Sequence, residues 1–90
     1  MRATDIGRRY RDGFAMAVRL ARVERGLRQE EVCEAAGLGR NYLTTLESRG
    51  CNPSLEAMAK VAYALGTPLS ALLEHAARLS SIEQEVGRGA

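Results

Sequence analysis

Ninety residues, 46% of them apolar, suffice for one compact domain with a modest core and leave no room for two. With no Trp, one Phe and three Tyr, the core must be built from Leu, Val, Ala and Met, a composition that favours helices. No apolar run is long enough to span a bilayer, and the start MRATDIGRRYR lacks the apolar middle of a secretion signal, so a cytoplasmic protein with two reduced thiols, Cys33 and Cys51, is expected. The net charge of +2 hides an asymmetry: residues 1–28 carry eight arginines against Asp5, Asp12 and Glu24, and the rest of the chain is net acidic. A basic segment of this kind suits an anionic polymer, although a solvated face explains it equally well.

In chain order, Phe14, Ala17, Val18 and Ala21 recur at i, i+3, i+4 and i+7, which predicts a first helix over 12–25. Residues 1–12 are a basic segment that either lengthens this helix or tracks a phosphate backbone as an arm. Gly26 stops the helix, Leu27 plugs the core, and a short second helix over 28–36 buries Val32, Cys33 and Ala36 before Gly37 closes it. A third helix over 39–48 follows at once. It places Leu43 and Leu46 inward and Arg40, Asn41, Thr44, Thr45 and Ser48 on the opposite face. The loop SRGCNP leads to Ser54 as an N-cap and Glu56 in the first turn of a fourth helix, whose inward stripe reads Leu55, Met58, Ala59, Ala62 and Leu65. After Gly66, Thr67 as cap and Pro68 at the first position open a fifth helix lined by Leu69, Leu72, Leu73, Ala76 and Leu79. The domain thus covers 13–79, and 80–90 is a polar tail or a short added helix around Ile82 to Val86. There is no β-type alternation and no repeat, so the expected fold is all-α, a compact five-helix bundle with a helix-turn-helix in helices two and three.

A helix ending at Gly, a three-residue turn and a second helix with one dry and one polar face can place that second helix in the DNA major groove. The polar face carries suitable chemistry. Arg40 can fork onto guanine O6 and N7, Asn41 can pair with adenine, and the methyl of Thr44 or Thr45 can meet a thymine methyl. Glu47 rotates round toward Leu43, where an isolated carboxylate is costly, so a partly buried pair with Arg22 is expected. Gln29 at the start of helix two is placed to hold a phosphate beside free backbone N–H groups, with Arg28 and Arg49 adding backbone contacts.

The stretch GLRQEEVCEAAGLGRNYLTTLESRGCNPSLEAMAKVAYALGTPLSALL resembles the Cro/XRE, phage-repressor-like helix-turn-helix family. It has the family's G-L-x-Q-x-x-x-A-x-x-A-G-L pattern with Cys33 at the first Ala, the Glu closing the third helix, and the N-P-S-L segment. The resemblance covers about Phe14 to Leu73. Within the family, RNYLTTLE and NPSLEAMAKVAYALGTPLSALL are similar to the small controller proteins of restriction–modification systems. It implies double-stranded DNA as partner, no cofactor, contacts from Tyr42 and from the loop with Asn52, and homodimerisation through Tyr63, Leu69, Leu72 and Leu73. It also implies a pseudo-palindromic operator with half-sites about 34–36 Å apart, and autoregulation. Two departures stand out: Gly39 occupies the position of the family's usual Ser or Thr N-cap, a loss of about 1 kcal/mol, and Cys51 replaces a frequent Arg.

Cys33, Cys51 and His75 lack paired metal-ligand spacing, and His75 has no nucleophile beside it, so neither a metal site nor an enzyme is expected. The competing reading is a protein-interaction module, an antitoxin or adaptor gripping a partner through the Leu-rich fifth helix. A plasmid or prophage repressor is a further subtype.

Overall fold

The computed structural model describes residues 2–48 and 51–82. Five helices follow in order: α1 (Ala3–Glu24), α2 (Gln29–Ala36), α3 (Tyr42–Glu47), α4 (Leu55–Ala64) and α5 (Leu69–Leu79), with no strand among the described residues. At 1.5 Å rise per residue, α1 is a rod of roughly 33 Å that carries the basic segment as a continuous amino-terminal extension. Its buried side holds Phe14, Ala17, Val18 and Ala21, the predicted stripe, with Gly13 and Ala15 added.

The α1–α5 pair forms the most extensive helix contact of the molecule. It depends on Gly13, where a Cβ would lie 2.5 Å from both the Ala76 carbonyl oxygen and Ser80 Oγ. Ser80 locks the crossing from the other side: its hydroxyl donates to the Arg9 carbonyl at 2.9 Å, and the Arg9 guanidinium donates to the Ser80 carbonyl. Just beyond α5, Ile82 turns back and is completely buried. The polar surroundings of Ile82 gave no sign of this, and residues 83–90, with the predicted short helix reaching Val86, lie outside the described residues.

Helix ends explain the compactness of the helix-turn-helix. At α2, Gly37 adopts φ +69°, the Leu38 N–H reaches back to the Cys33 carbonyl at 2.9 Å, and the Gly37 N–H bonds the Glu34 carbonyl. This paired closure needs a left-handed residue, which glycine adopts without steric cost. The same closure ends α1 at Gly26, and it delivers Leu27 into partial burial against the core. The start of α4 is fixed by Ser54, whose Oγ accepts the Ala57 N–H at 3.1 Å.

Four boundaries or faces differ from the sequence reading. The third helix begins at Tyr42, not Gly39: residues 39–42 form a turn in which the Tyr42 N–H bonds the Gly39 carbonyl at 3.0 Å, and Asn41 is the residue before the first helical turn. The missing cap therefore belongs to Asn41, whose side chain makes no capping bond. Pro68, not Thr67, precedes the first residue of α5. In α4 the inward face is Ala57, Val61, Ala62 and Leu65, while Leu55 is 68% exposed and Ala59 faces solvent. Finally, Leu72 lies in the main core at 3% exposure together with Phe14, Val18, Leu43, Leu46 and Val61.

Candidate nucleic-acid interface

Leu43 and Leu46 are fully buried, so they fix the rotation of α3 and leave Thr44, Thr45 and Ser48 on its exposed side. The Leu43 N–H points at Cys33 Sγ at 3.4 Å, which gives this short helix a bonded partner on α2 for one of its unpaired amino-terminal groups. Cys33 is buried and Cys51 half-buried, and both are free thiols.

Arg22 and Glu47 meet in a two-point ion pair: Nε donates to Glu47 Oε2 at 2.8 Å and Nη2 to Oε1 at 2.9 Å. Nη1 donates to the Leu27 carbonyl at 2.8 Å, so the guanidinium ties α1, the loop before α2 and the end of α3 together. The bond to Glu47 raises the Arg22 pKa above its ordinary value against the opposing effect of burial, and the side chain stays charged at every accessible pH.

Glu47 also orders the exposed polar face. Its Oε1 accepts from Gln29 Nε2 at 3.1 Å, and Gln29 Oε1 in turn accepts from Thr44 Oγ1 at 2.9 Å. A continuous chain of bonds thus runs Arg22, Glu47, Gln29, Thr44, and the Gln29 amide is held in one orientation. Thr45 and Ser48 donate to the carbonyls of Asn41 (3.2 Å) and Thr45 (2.8 Å). Both threonine protons and the Ser48 proton are therefore engaged within the protein. What these side chains present outward are methyl groups and acceptor lone pairs.

Arg28, Gln29, Arg40, Asn41 and Thr44 converge on one polar concavity of about 600 Å³ between α2 and the turn before α3, with Arg22 at its back. Arg40 and Asn41 project from that turn, and their side chains make no hydrogen bond among the described residues. Arg28 is more occupied. It contacts Glu30 at 3.6 Å and Glu31 at 3.3 Å, and its N–H donates to Glu31 Oε1 at 2.8 Å. That backbone bond, then the guanidinium, hold the Glu31 carboxyl below the ordinary carboxylate range. Glu30 also lines the concavity, an acidic neighbour the sequence reading did not anticipate because it comes from α2.

Tyr42 is half-buried against the core, with Cys51 beside it; burial first and then Cys51 push the phenol above its ordinary pKa, so it remains a proton donor. Asn52 lies apart from the concavity, beside Gly7, Arg8 and Arg11 of α1. Arg49 lies outside the described residues. Of the residues expected at a dimer edge, Tyr63 is 82% exposed, and Leu69 and Leu73 are half-buried. Leu72 is not at that edge, because its side chain is spent in the core. No helix among the described residues is long and apolar enough to cross a membrane, and no group of three or more potential metal ligands gathers there.

Several known proteins share this arrangement. A family model described as helix-turn-helix matches residues 18–72. The cryptic phage CTXphi transcriptional repressor RstR of Vibrio cholerae is 38% identical over 60 residues, which is 67% of this chain and 54% of that repressor. The immunity repressor protein of Bacillus phage phi105 is 41% identical over 56 residues, 62% of this chain and 39% of that protein. The chain therefore spans about half or less of the length of these two relatives. Among solved structures, the clp gene regulator ClgR of Corynebacterium glutamicum superposes with a TM-score of 0.76 at 28% identity, covering 88% of this chain and 87% of that one. The hypothetical transcription factor NHTF from Neisseria does so with a TM-score of 0.67 at 38% identity, covering 70% and 72%. With a family-model match over residues 18–72, most of its length, the chain belongs to the Cro/XRE-type helix-turn-helix family.

Proposed function

We propose that this chain is a transcription regulator that binds double-stranded DNA sequence-specifically as a homodimer and represses its own promoter. The observation that carries the reading is the concavity in which Arg40 and Asn41, whose side chains have no hydrogen-bond partner among the described residues, stand beside a Gln29 amide fixed by Glu47. In the docked state α3 lies in the major groove, Arg40 forks onto a guanine edge, Asn41 pairs with an adenine, and the methyls of Thr44 and Thr45 meet thymines. Gln29, Arg28 and the Tyr42 hydroxyl contact phosphates and set the register. Repression is favoured over activation because RstR and the phi105 protein both carry the name repressor.

The dimer forms through the outer edge of α4 and α5. Leu55 and Tyr63, 68% and 82% exposed, lie on the solvent side of α4, and Leu69 and Leu73 on α5 are half-buried. Large apolar side chains left this open on a small domain mark an association surface. One monomer reads too few base pairs to be selective in a genome, and two-fold pairing supplies the second half-site.

The test is a salt-titrated binding isotherm on the DNA upstream of the coding sequence, beside a scrambled duplex. A steep fall of affinity with salt and a strong preference for the upstream sequence are expected. A flat salt response, or equal affinity for both duplexes, overturns the proposal.

A further inference from the structure

The amino-terminal half of α1 crosses the loop 51–54, α4 and α5 without filling the space between them. The result is a groove of about 690 Å³ walled by Tyr10, Phe14, Pro53, Met58, Leu73 and Ala77. Its size falls within the range of small-molecule sites, and its walls are mostly apolar with a few polar groups at the margin, the usual make-up of such sites. Pro53 and Met58 of its walls lie inside the 18–72 segment that matches the family model, and Tyr10, Phe14, Leu73 and Ala77 lie outside it.

At Gly7, Arg11 and Asn52 the apolar groove opens into a polar vestibule that also contains Arg8 and Thr4. Arg8 is exposed and makes no ion pair among the described residues, and Arg11 donates from Nε and Nη2 to Asp12 Oδ1, both at a long 3.4 Å. At Gly7 an added Cβ would meet nothing within 4 Å, so the lip between groove and vestibule stands clear. Glu74 and Ser70 mark the opposite rim.

We propose that this groove and vestibule form a binding site for a small soluble amphiphile, an apolar aryl or acyl body in the groove with one anionic head, such as a carboxylate, between Arg8 and Arg11. Two guanidinium groups over a space with apolar walls select that combination. An uncharged body gains nothing from the vestibule, and a cationic head is repelled by it. Asn52 and Pro53 follow Cys51, which touches Tyr42 at the start of α3, so occupancy presses on the loop that anchors the reading helix. The effect on operator affinity rests on the DNA-binding reading above, whereas binding of the amphiphile does not.

The experiment titrates the full chain with 1-anilinonaphthalene-8-sulfonate, an aryl anion, and follows fluorescence. Saturation at one probe per chain is expected, with displacement by decanoate and not by decylamine. Arg8→Ala with Arg11→Ala should weaken binding by roughly tenfold or more. Ser70→Trp, a change at an exposed position that fills the groove, should abolish binding while circular dichroism and melting stay unchanged. Saturable binding that survives Ser70→Trp, equal displacement by decylamine, or no saturation overturns the proposal. So does a Ser70→Trp chain that turns from dimer to monomer in sedimentation while the parent binds no probe, which assigns the groove to a second copy. If the probe binds as expected but neither probe nor decanoate changes DNA affinity, the site stands and its coupling to DNA falls.

Discussion

The two sides of α1 are held by different physics. Toward α5 the contact is apolar and close, made possible by the missing side chain of Gly13 and sealed by the Arg9–Ser80 exchange of bonds. Toward α2 and α3 the shared apolar core is supplemented by a polar chain that starts in an ion pair and ends on a residue facing outward. Packing tolerates no gap and is indifferent to direction, whereas hydrogen bonds dictate direction. The scaffold is therefore built by the first and the exposed polar face is aimed by the second.

The largest effect should come from breaking the polar side at its root. Glu47→Ala leaves the Arg22 guanidinium, 14% exposed, without its anion, and removal of one partner of a buried pair costs about 3–5 kcal/mol. Denaturant unfolding should register that loss, and a cost below ~1 kcal/mol would mean that water replaces the carboxylate freely. On the apolar side, Gly13→Val forces a Cβ against a backbone carbonyl and should cost about 1–3 kcal/mol or more through overpacking. Thermal melts check it, and an unchanged midpoint would show that α5 slides to make room.

At the surface itself, Arg40→Ala should weaken operator binding by about 1–3 kcal/mol and relax preference at one base pair, while Gln29→Ala weakens specific and random duplexes alike. Equal losses on both duplexes for Arg40→Ala would move Arg40 from base reading to phosphate contact. If Glu47 aims Gln29, a double-mutant cycle between Glu47→Gln and Gln29→Ala in DNA affinity should be non-additive, by 0.5 kcal/mol or more on the order of typical contacting pairs. The smallest effect concerns pH. The Glu31 carboxyl is held below its ordinary range, so its support of the α2 start is complete above that range and lost as pH falls through the lowered value. Amide exchange in the first turn of α2 should quicken on acidification, and Glu31→Gln should remove that dependence.

The sequence disclosed much of this. Apolar spacing located all five helices, and the position of Glu47 beside Leu43 pointed to Arg22. What it misplaced had physical causes. Helix α4 is apolar almost all round, with Leu55, Ala57, Met58, Ala59, Val61, Ala62 and Tyr63 within nine residues, so periodicity alone cannot choose the inward side. The start of α3 shifted because a Gly39–Tyr42 turn satisfies the chain in place of a helical turn, a choice that propensity does not register. The Gln29–Thr44 bond and the burial of Ile82 arise only once distant segments meet, and Leu72 sat on the same apolar stripe as residues left at the edge.

One consequence of the unbroken α1 concerns its phase. Arg22 near one end backs the polar concavity, and Tyr10 toward the other walls the groove, on a single rod without a proline. At 3.6 residues per turn, a single residue inserted between them turns one end by about 100° relative to the other. Such an insertion cannot spare both sites, whereas seven residues restore the angle and leave only a displacement of roughly 10 Å. Length changes in this helix are therefore graded by rotation before distance.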